Sequence, residues 1–329
     1  MQQWEWNKHM LRLRVLVSLM TEDNDYQQEQ AAVAQVTAQK LGIDAEILYG
    51  NNDGVTQSVQ IVRAIQLPLE QRPQAIIVEP VGTPMPQVAH AAAVANIGWV
   101  MLNRSADYVA ALRAITTAPI FCVSADNEEV GHLQGKQFDT LISGGQSILY
   151  ITGPATSEVA QQRTKGMLAA RHPDIDVKIL RGDWTEAGAH RIVQSWLRLM
   201  TSRDLHIGLI GCQNDAMAMG ARKAIEEVAN TRERDALLKL PFTGCDGVAS
   251  QGQQYVQRQL LLATIVTPPL TGMALEMLVQ ATRTHTQPPE QTVVRPTSYP
   301  HLADLHYASA QHLDFGGWSH LAAPATPYR

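Results

Sequence analysis

The sequence predicts an α/β protein built from two similar lobes, each a doubly wound parallel sheet. Three observations carry this. Short apolar runs alternate with stretches of helical period along most of the chain, the mark of parallel strands joined by right-handed crossovers. The rhythm breaks at Ile120-Phe121-Cys122-Val123-Ser124-Ala125-Asp126-Asn127, where an apolar run ends in two adjacent hydrogen-bonding side chains, and then resumes. The length of 329 residues also exceeds a single core, since domains usually hold about 100–200 residues.

Taken in order, residues 13–20 read as a buried strand and residues 25–41 as a helix of spaced alanines and valines, stopped by Gly42. Strands follow at 45–49, 75–79 and 98–103, with helices from about Gly54 to Gln66 and from about Pro84 to Asn96. Beyond the break come a helix at 128–142, a strand at 147–152, a helix at 157–171 and a strand at 177–181. A helix at 185–200, a strand at 206–211, a helix at 215–229, a strand around 242–245, a short helix from Ser250 and a strand at 261–266 complete the second lobe. Pro268-Pro269 interrupts the chain before a helical run at 270–282, which makes Thr267–Pro269 a second crossing point. The division expected is 13–124 plus about 268–292 for the first lobe and 125–267 plus about 293–300 for the second. Residues 301–329 form a tail without periodicity, rich in His, Pro, Gly and aromatics.

Composition narrows the function. An apolar fraction of 45%, 17% charged residues and a net charge of −5 fit a globular protein and argue against direct nucleic acid binding. Cys122, Cys212 and Cys245 lie in or beside apolar runs, away from ligand or CxxC spacing, and read as buried small hydrophobes. Residues 1–10 hold no apolar run of signal-peptide length, and no stretch has the roughly 18 apolar residues of a membrane span.

Catalytic and nucleotide motifs are missing. No GxGxxG follows a strand, and Gly131-His132-Leu133-Gln134-Gly135-Lys136 has the wrong spacing for a phosphate loop and sits in a helical pattern. Neither HExxH nor GxSxG occurs, and the eleven histidines are dispersed. No catalytic residue, metal ligand or cofactor is expected, and an enzyme ranks below a binding protein. In an open parallel sheet, ligands sit beyond the carboxyl ends of the strands. Polar residues just past an apolar run, such as Asn103-Arg104, are therefore where chemistry is sought.

The ordered set Ser124-Ala125-Asp126-Asn127, Gln161-Gln162-Arg163-Thr164-Lys165-Gly166-Met167, Cys212-Gln213-Asn214-Asp215-Ala216-Met217-Ala218-Met219-Gly220-Ala221, Gly244-Cys245-Asp246-Gly247 and Leu262-Ala263-Thr264-Ile265 resembles the type I periplasmic sugar-binding proteins. It is close to the ribose-binding pattern and to the effector core of lac-type repressors, over about residues 13–296. The resemblance implies the type I periplasmic binding protein fold, two doubly wound lobes joined by a three-strand hinge and closing on a monosaccharide or polyol. Carried over position by position, the ligand-facing set is Asn24, Tyr26, Asn103, Arg104, Arg163, Trp184, Asn214, Asp246 and Thr267. Arg104 and Arg163 would supply planar donor forks, Asp246 acceptors, Asn103 and Asn214 one of each, and Tyr26 and Trp184 apolar walls.

Five of these positions also have a plainer reading. Arg163 is an exposed helix arginine, Asp246 a turn residue before glycine, Asn214 a helix cap, and Trp184 and Tyr26 packing residues. Asp126 caps the helix after the crossing and stays outside the set. Two departures bear on the ligand: Asn103 stands where many aldose-binding relatives carry aspartate, and Thr267 where ribose-binding proteins carry an amide. Pentoses, hexoses, deoxy sugars and polyols all remain open.

The resemblance implies a monomeric, periplasmic or otherwise extracytoplasmic solute receptor that hands a sugar to the membrane permease of an ABC transporter. The alternative is a sugar-sensing regulatory or receptor domain, for which a cytoplasmic location stays open. The 12 residues before the first strand are too few for a helix-turn-helix.

Overall fold

The computed structural model describes residues 12–83, 85–142, 145–199 and 207–305. The first half runs β1 (Arg14–Leu19), α1 (Asp25–Leu41), β2 (Asp44–Tyr49), α2 (Gly54–Gln66), β3 (Ala75–Val78), α3 (Pro86–Val94), β4 (Gly98–Leu102), α4 (Val109–Arg113) and β5 (Ile120–Ala125). After the break come α5 (Asn127–Leu141), β6 (Ser147–Thr152), α6 (Glu158–Ala170), β7 (Asp176–Arg181), α7 (Glu186–Arg198), β8 (Ile207–Cys212), α8 (Asp215–Glu226), α9 (Thr231–Leu238), β9 (Phe242–Thr243), α10 (Gly252–Gln257) and β10 (Thr264–Val266). The chain then forms α11 (Thr271–Thr284), β11 (Gln291–Val294) and β12 (Thr297–Tyr299).

The first sheet has the order β11-β5-β4-β3-β1-β2 and the second β7-β6-β8-β9, every pairing parallel. Single bridges from Thr243 to Ala263 and from Asp246 to Val266 carry the second sheet on to β10, which pairs antiparallel with β12. The chain thus passes between sheets after β5, after β10 and between β11 and β12.

Both faces of each sheet are covered, which is why the inner strands read as unbroken apolar runs. Val15, Val17 and Leu19 pack against Ala31 and Ala34 of α1 and Leu275 and Leu278 of α11, while Leu16, Ile76 and Val78 pack against Ile61 of α2 and Ala89 and Ala93 of α3. In the second lobe Leu149, Ile151 and Cys212 meet Val193 and Met217, and Ile148, Tyr150 and Leu209 meet Phe138 and Met167. The three cysteines are buried free thiols.

Some boundaries differ from those expected. The β9 ladder ends at Thr243 instead of Cys245, because the backbone leaves it to put Asp246 at φ 102°. Expected positions 84, 200 and 206 lie outside the described residues, as does the tail from 306. At the tail's start, however, Leu305 is buried and joins Phe138 and Met167 in the second lobe's core. The helices α4 and α9 and the strands β11 and β12 were not anticipated.

Candidate ligand-binding cleft

Where the carboxyl ends of the two sheets face each other, a cleft is lined by Met20, Asn24, Tyr26, Gln27, Glu79, Asn103 and Arg104 from one side and by Ser157, Val159, Arg163, Trp184, Asn214 and Asp246 from the other. Met20 follows β1, Glu79 follows β3, Asn103 follows β4 and Asn214 lies just past β8, so parallel strand ends deliver the polar groups. A larger hollow of about 540 Å³ opens at the opposite, amino-terminal end of β1 and β2, beside Arg14, Gln39 and Glu46. Convergence of buried polar groups, not size, singles out the cleft between the lobes.

All of the residues carried over from the resemblance line this cleft except Thr267. Thr267 is buried at the second crossing, where its N–H donates to the Asp246 carbonyl (3.0 Å); its Oγ1 has no partner among the described residues.

Arg163 is 5% exposed, not the surface arginine of the plainer reading. Its Nε donates to Asn127 Oδ1 (3.1 Å) and its Nη1 to the Gln213 carbonyl (2.5 Å), with Nη1 3.9 Å from Asp246 Oδ1. The guanidinium carbon lies 5.7 Å from the Trp184 ring centroid, within cation–π range. Close helix packing sets it there. A Cβ on Gly131 of α5 would collide with the Arg163 carbonyl, and one on Gly166 of α6 with that of Glu128. Gly131, from the run whose spacing excludes a phosphate loop, and Gly166 thus let α5 and α6 approach closely. On the other lobe Arg104, also 5% exposed, donates from Nη1 to the Gly82 carbonyl.

Three cleft residues hold positive φ without being glycine: Asn103 (59°), Trp184 (71°) and Asp246 (102°). Such conformations cost about 1–3 kcal/mol each and gather at functional sites. Trp184 fits only because residue 153 is glycine; a Cβ there would strike its indole ring. The Tyr26 ring lines the opposite side, its hydroxyl donating to the Pro268 carbonyl at the second crossing (3.3 Å).

Capping and cleft lining coincide in two amides. Asn24 Oδ1 accepts from Gln27 N (2.9 Å) at the start of α1, and Asn214 Oδ1 from Met217 N (2.9 Å) at the start of α8. With their oxygens committed, both turn Nδ2 inward, and both donate to the Trp184 carbonyl, at 3.4 Å from Asn24 and 2.9 Å from Asn214. Asp126 caps α5 through Glu129 N (3.0 Å) and does not line the cleft.

Sequence reasoning passed over Glu79, Gln27 and Asn127. Glu79 ends an apolar run just as Asn103 does, and that signal would have found it. Asn127 acts from behind, holding Arg163 while its Nδ2 reaches the Asn103 carbonyl (3.5 Å); no local pattern shows this.

Burial dominates the electrostatics. It pushes the Asp246 carboxyl well above its ordinary range, against the pull of the Arg163 charge. Beneath the cleft, burial raises Asp215 to about 7, although Thr264 Oγ1 (2.7 Å) and Gly247 N (2.8 Å) donate to it. The Gly247 bond ties the loop carrying Asp246 to the start of α8, and the Thr264 bond ties β10 to it. Burial also lowers Arg104 from its usual value, with Glu79 drawing it back up.

The family model of a periplasmic binding protein domain matches residues 15–283. The chain belongs to this family. Its members are binding proteins, not enzymes, and membership implies an extracytoplasmic location. No curated protein sequence matches the chain. Among solved structures it is similar to a galactofuranose binding protein (22% identity, 93% of this chain and 100% of the other, TM-score 0.74). It is also similar to an ABC transporter solute binding protein of Actinobacillus succinogenes with bound D-allose (22%, 91% and 100%, 0.73). A Caulobacter myo-inositol binding protein is a third (20%, 92% and 98%, 0.73). At these identities the likeness establishes the fold.

Proposed function

We propose that the protein is the solute receptor of a sugar ABC transporter, closing its lobes on a neutral monosaccharide or polyol and presenting the closed form to a membrane permease. The observation that carries this is the composition of the cleft. Two guanidiniums, two carboxylates and four amides converge between an aromatic residue from each lobe. A hydroxylated ring needs just this: donors and acceptors around its rim and flat apolar surfaces against its C–H faces. The formal charges of Arg104 and Arg163 balance those of Glu79 and Asp246, which favours an uncharged ligand. The structures it resembles hold neutral polyhydroxylated compounds, D-allose and myo-inositol among them. The receptor works as a monomer outside the cytoplasm, selecting the closed state because only that state satisfies both sets of contacts.

A thermal-shift screen against pentoses, hexoses, deoxy sugars and polyols tests the ligand class. A true ligand at about 100 times its Kd adds about 2.7 kcal/mol of stability. No shift with any compound in the screen overturns the sugar reading. Loss of uptake of that sugar on deleting the protein, restored by returning it, tests the transport role.

A further inference from the structure

We propose that Glu79 is a specificity-determining positioning residue: it turns the Asn103 amide so that Oδ1, not Nδ2, faces the ligand. Glu79 is 5% exposed at the carboxyl end of β3, and its two oxygens accept from three amides. Asn103 Nδ2 donates to Oε1 at 2.8 Å, Gln27 Nε2 to Oε2 at 2.9 Å and Gln30 Nε2 to Oε2 at 3.5 Å. The glutamine amides are fixed independently, because Gln27 Oε1 accepts from Met20 N (3.0 Å) and Gln30 Oε1 from Leu270 N (2.8 Å) and Thr271 N (2.9 Å). Each therefore presents its NH2 to the carboxylate, which leaves Glu79 as the acceptor for Asn103 as well.

A carboxylate cannot donate, so the opposite orientation of Asn103 would set oxygen against oxygen at hydrogen-bond distance in a buried site. In the orientation observed, Nδ2 is committed to Glu79, the Tyr26 hydroxyl beside the amide donates to the Pro268 carbonyl, and Oδ1 is not among the sealed, unpartnered atoms. It is an open acceptor in the wall of the cleft. The neutral amide at 103 therefore gives the ligand what a carboxylate there would give, an oxygen that takes a hydroxyl proton, and the negative charge sits beside it on Glu79. On the proposed sugar-binding reading, the group opposite Asn103 is a hydroxyl used as donor. A keto oxygen or carboxylate at that point is rejected.

Exchanging donor and acceptor tests this. Asn103→Asp alone places two carboxylates together, and Glu79→Gln alone gives three amide donors a side chain with one acceptor oxygen. The double variant Glu79→Gln/Asn103→Asp rebuilds the bond in reverse, the introduced amide at 79 donating to the introduced carboxylate at 103, and still offers the cleft an oxygen. Two readouts are taken. Without ligand, the side-chain amide protons of Asn103 are followed by NMR exchange, and urea unfolding is measured for the four proteins of the cycle. With ligand, calorimetry is run with myo-inositol, D-allose and D-fructose.

Expected are slow Asn103 amide exchange in the wild type that becomes fast in Glu79→Gln, and two destabilised single variants with the double recovered toward wild type. For whichever of the three probes binds, affinity should fall about tenfold in each single variant and return to within about threefold in the double. Solvent-rate exchange of the Asn103 amide in the wild type, or a double variant no better than the worse single, overturns the proposal. If none of the three probes binds the wild type, the sugar reading is what suffers, and the ligand-free cycle still decides the role of Glu79.

Discussion

Replacing Arg163 by alanine is the sharpest perturbation of the proposed site. Its Nε and Nη1 are committed to Asn127 and Gln213, which leaves Nη2 for the ligand. A charged donor in a site that excludes water contributes about 1.5–3 kcal/mol, so Kd should rise by about 10- to 150-fold. A second consequence follows from the 3.9 Å approach to Asp246. Burial already pushes that carboxyl upward and Arg163 opposes it, so the variant's Asp246 takes up a proton at higher pH. Protonated Asp246 loses acceptor capacity, and the affinity of the variant should fall further than that of the wild type when the pH is lowered from one measurement to a second, more acidic one. Titration calorimetry at the two pH values, with the strongest binder from the sugar screen, measures both effects. Removing one member of a buried pair can cost about 3–5 kcal/mol of stability, so Arg163→Lys is run beside it. It keeps a charge without the planar fork and should bind at an intermediate level. A folded Arg163→Ala protein that binds within about twofold of wild type at both pH values refutes the assignment.

Three further predictions follow from the geometry. Asp215, at about 7 in the fold against an ordinary 3.8, binds a proton when folded that the unfolded chain has released. Its contribution is thus least costly below about pH 4, and stability on the order of 4 kcal/mol is lost as pH rises through about 7; urea unfolding of Asp215→Asn should vary less over that window than wild type. Gly131→Ala drives a methyl into the Arg163 carbonyl on α6, which should cost about 1–3 kcal/mol in thermal unfolding and weaken sugar binding through misplacement of Arg163. Tyr255 of α10 donates to Asp25 of α1 across the lobes (3.3 Å). Tyr255→Phe removes a bond of about 1 kcal/mol from the closed form, and calorimetry should show roughly fivefold weaker binding, unfolding being little changed.

Residues whose roles are local were legible in the sequence. Asn214 caps the helix that opens there, and Asn103-Arg104 stands past a buried strand, where ligands of parallel sheets collect. The resemblance supplied Arg163 and Asp246, whose burial and pairing no spacing reveals, because Arg163 owes its position to glycines on two helices and to Asn127 from another segment. Thr267 shows the limit of carrying a position over: the crossing is where the proline pair put it, but the side chain does not reach the lining. Tertiary hydrogen bonding placed Glu79 in the site, and only the strand-end rule could have pointed to it.

The contacts that cross between lobes explain how a ligand can govern closure. Asn24 reaches the Trp184 carbonyl at 3.4 Å and Tyr255 reaches Asp25 at 3.3 Å, both long bonds. Bonds of this kind contribute only about 0.5–1.5 kcal/mol each, little more than the cost of ordering the side chains that make them. Asn214 and Arg163, by contrast, are held by partners within their own lobe, or by Asn127 beside the first crossing, and are in position whether or not the lobes meet. The second lobe thus carries a prepared half-site, while the direct polar contacts between the lobes at Asn24, Tyr255 and Gln251, whose amide faces the Asp25 carboxylate, are few. A ligand that bonds to Arg163 and Asp246 on one side and to Asn103 and Arg104 on the other adds several charge-assisted bonds to the closed state alone. Moving a two-state equilibrium from 1:99 to 99:1 takes about 5.5 kcal/mol of differential binding, which two or three such bonds can provide.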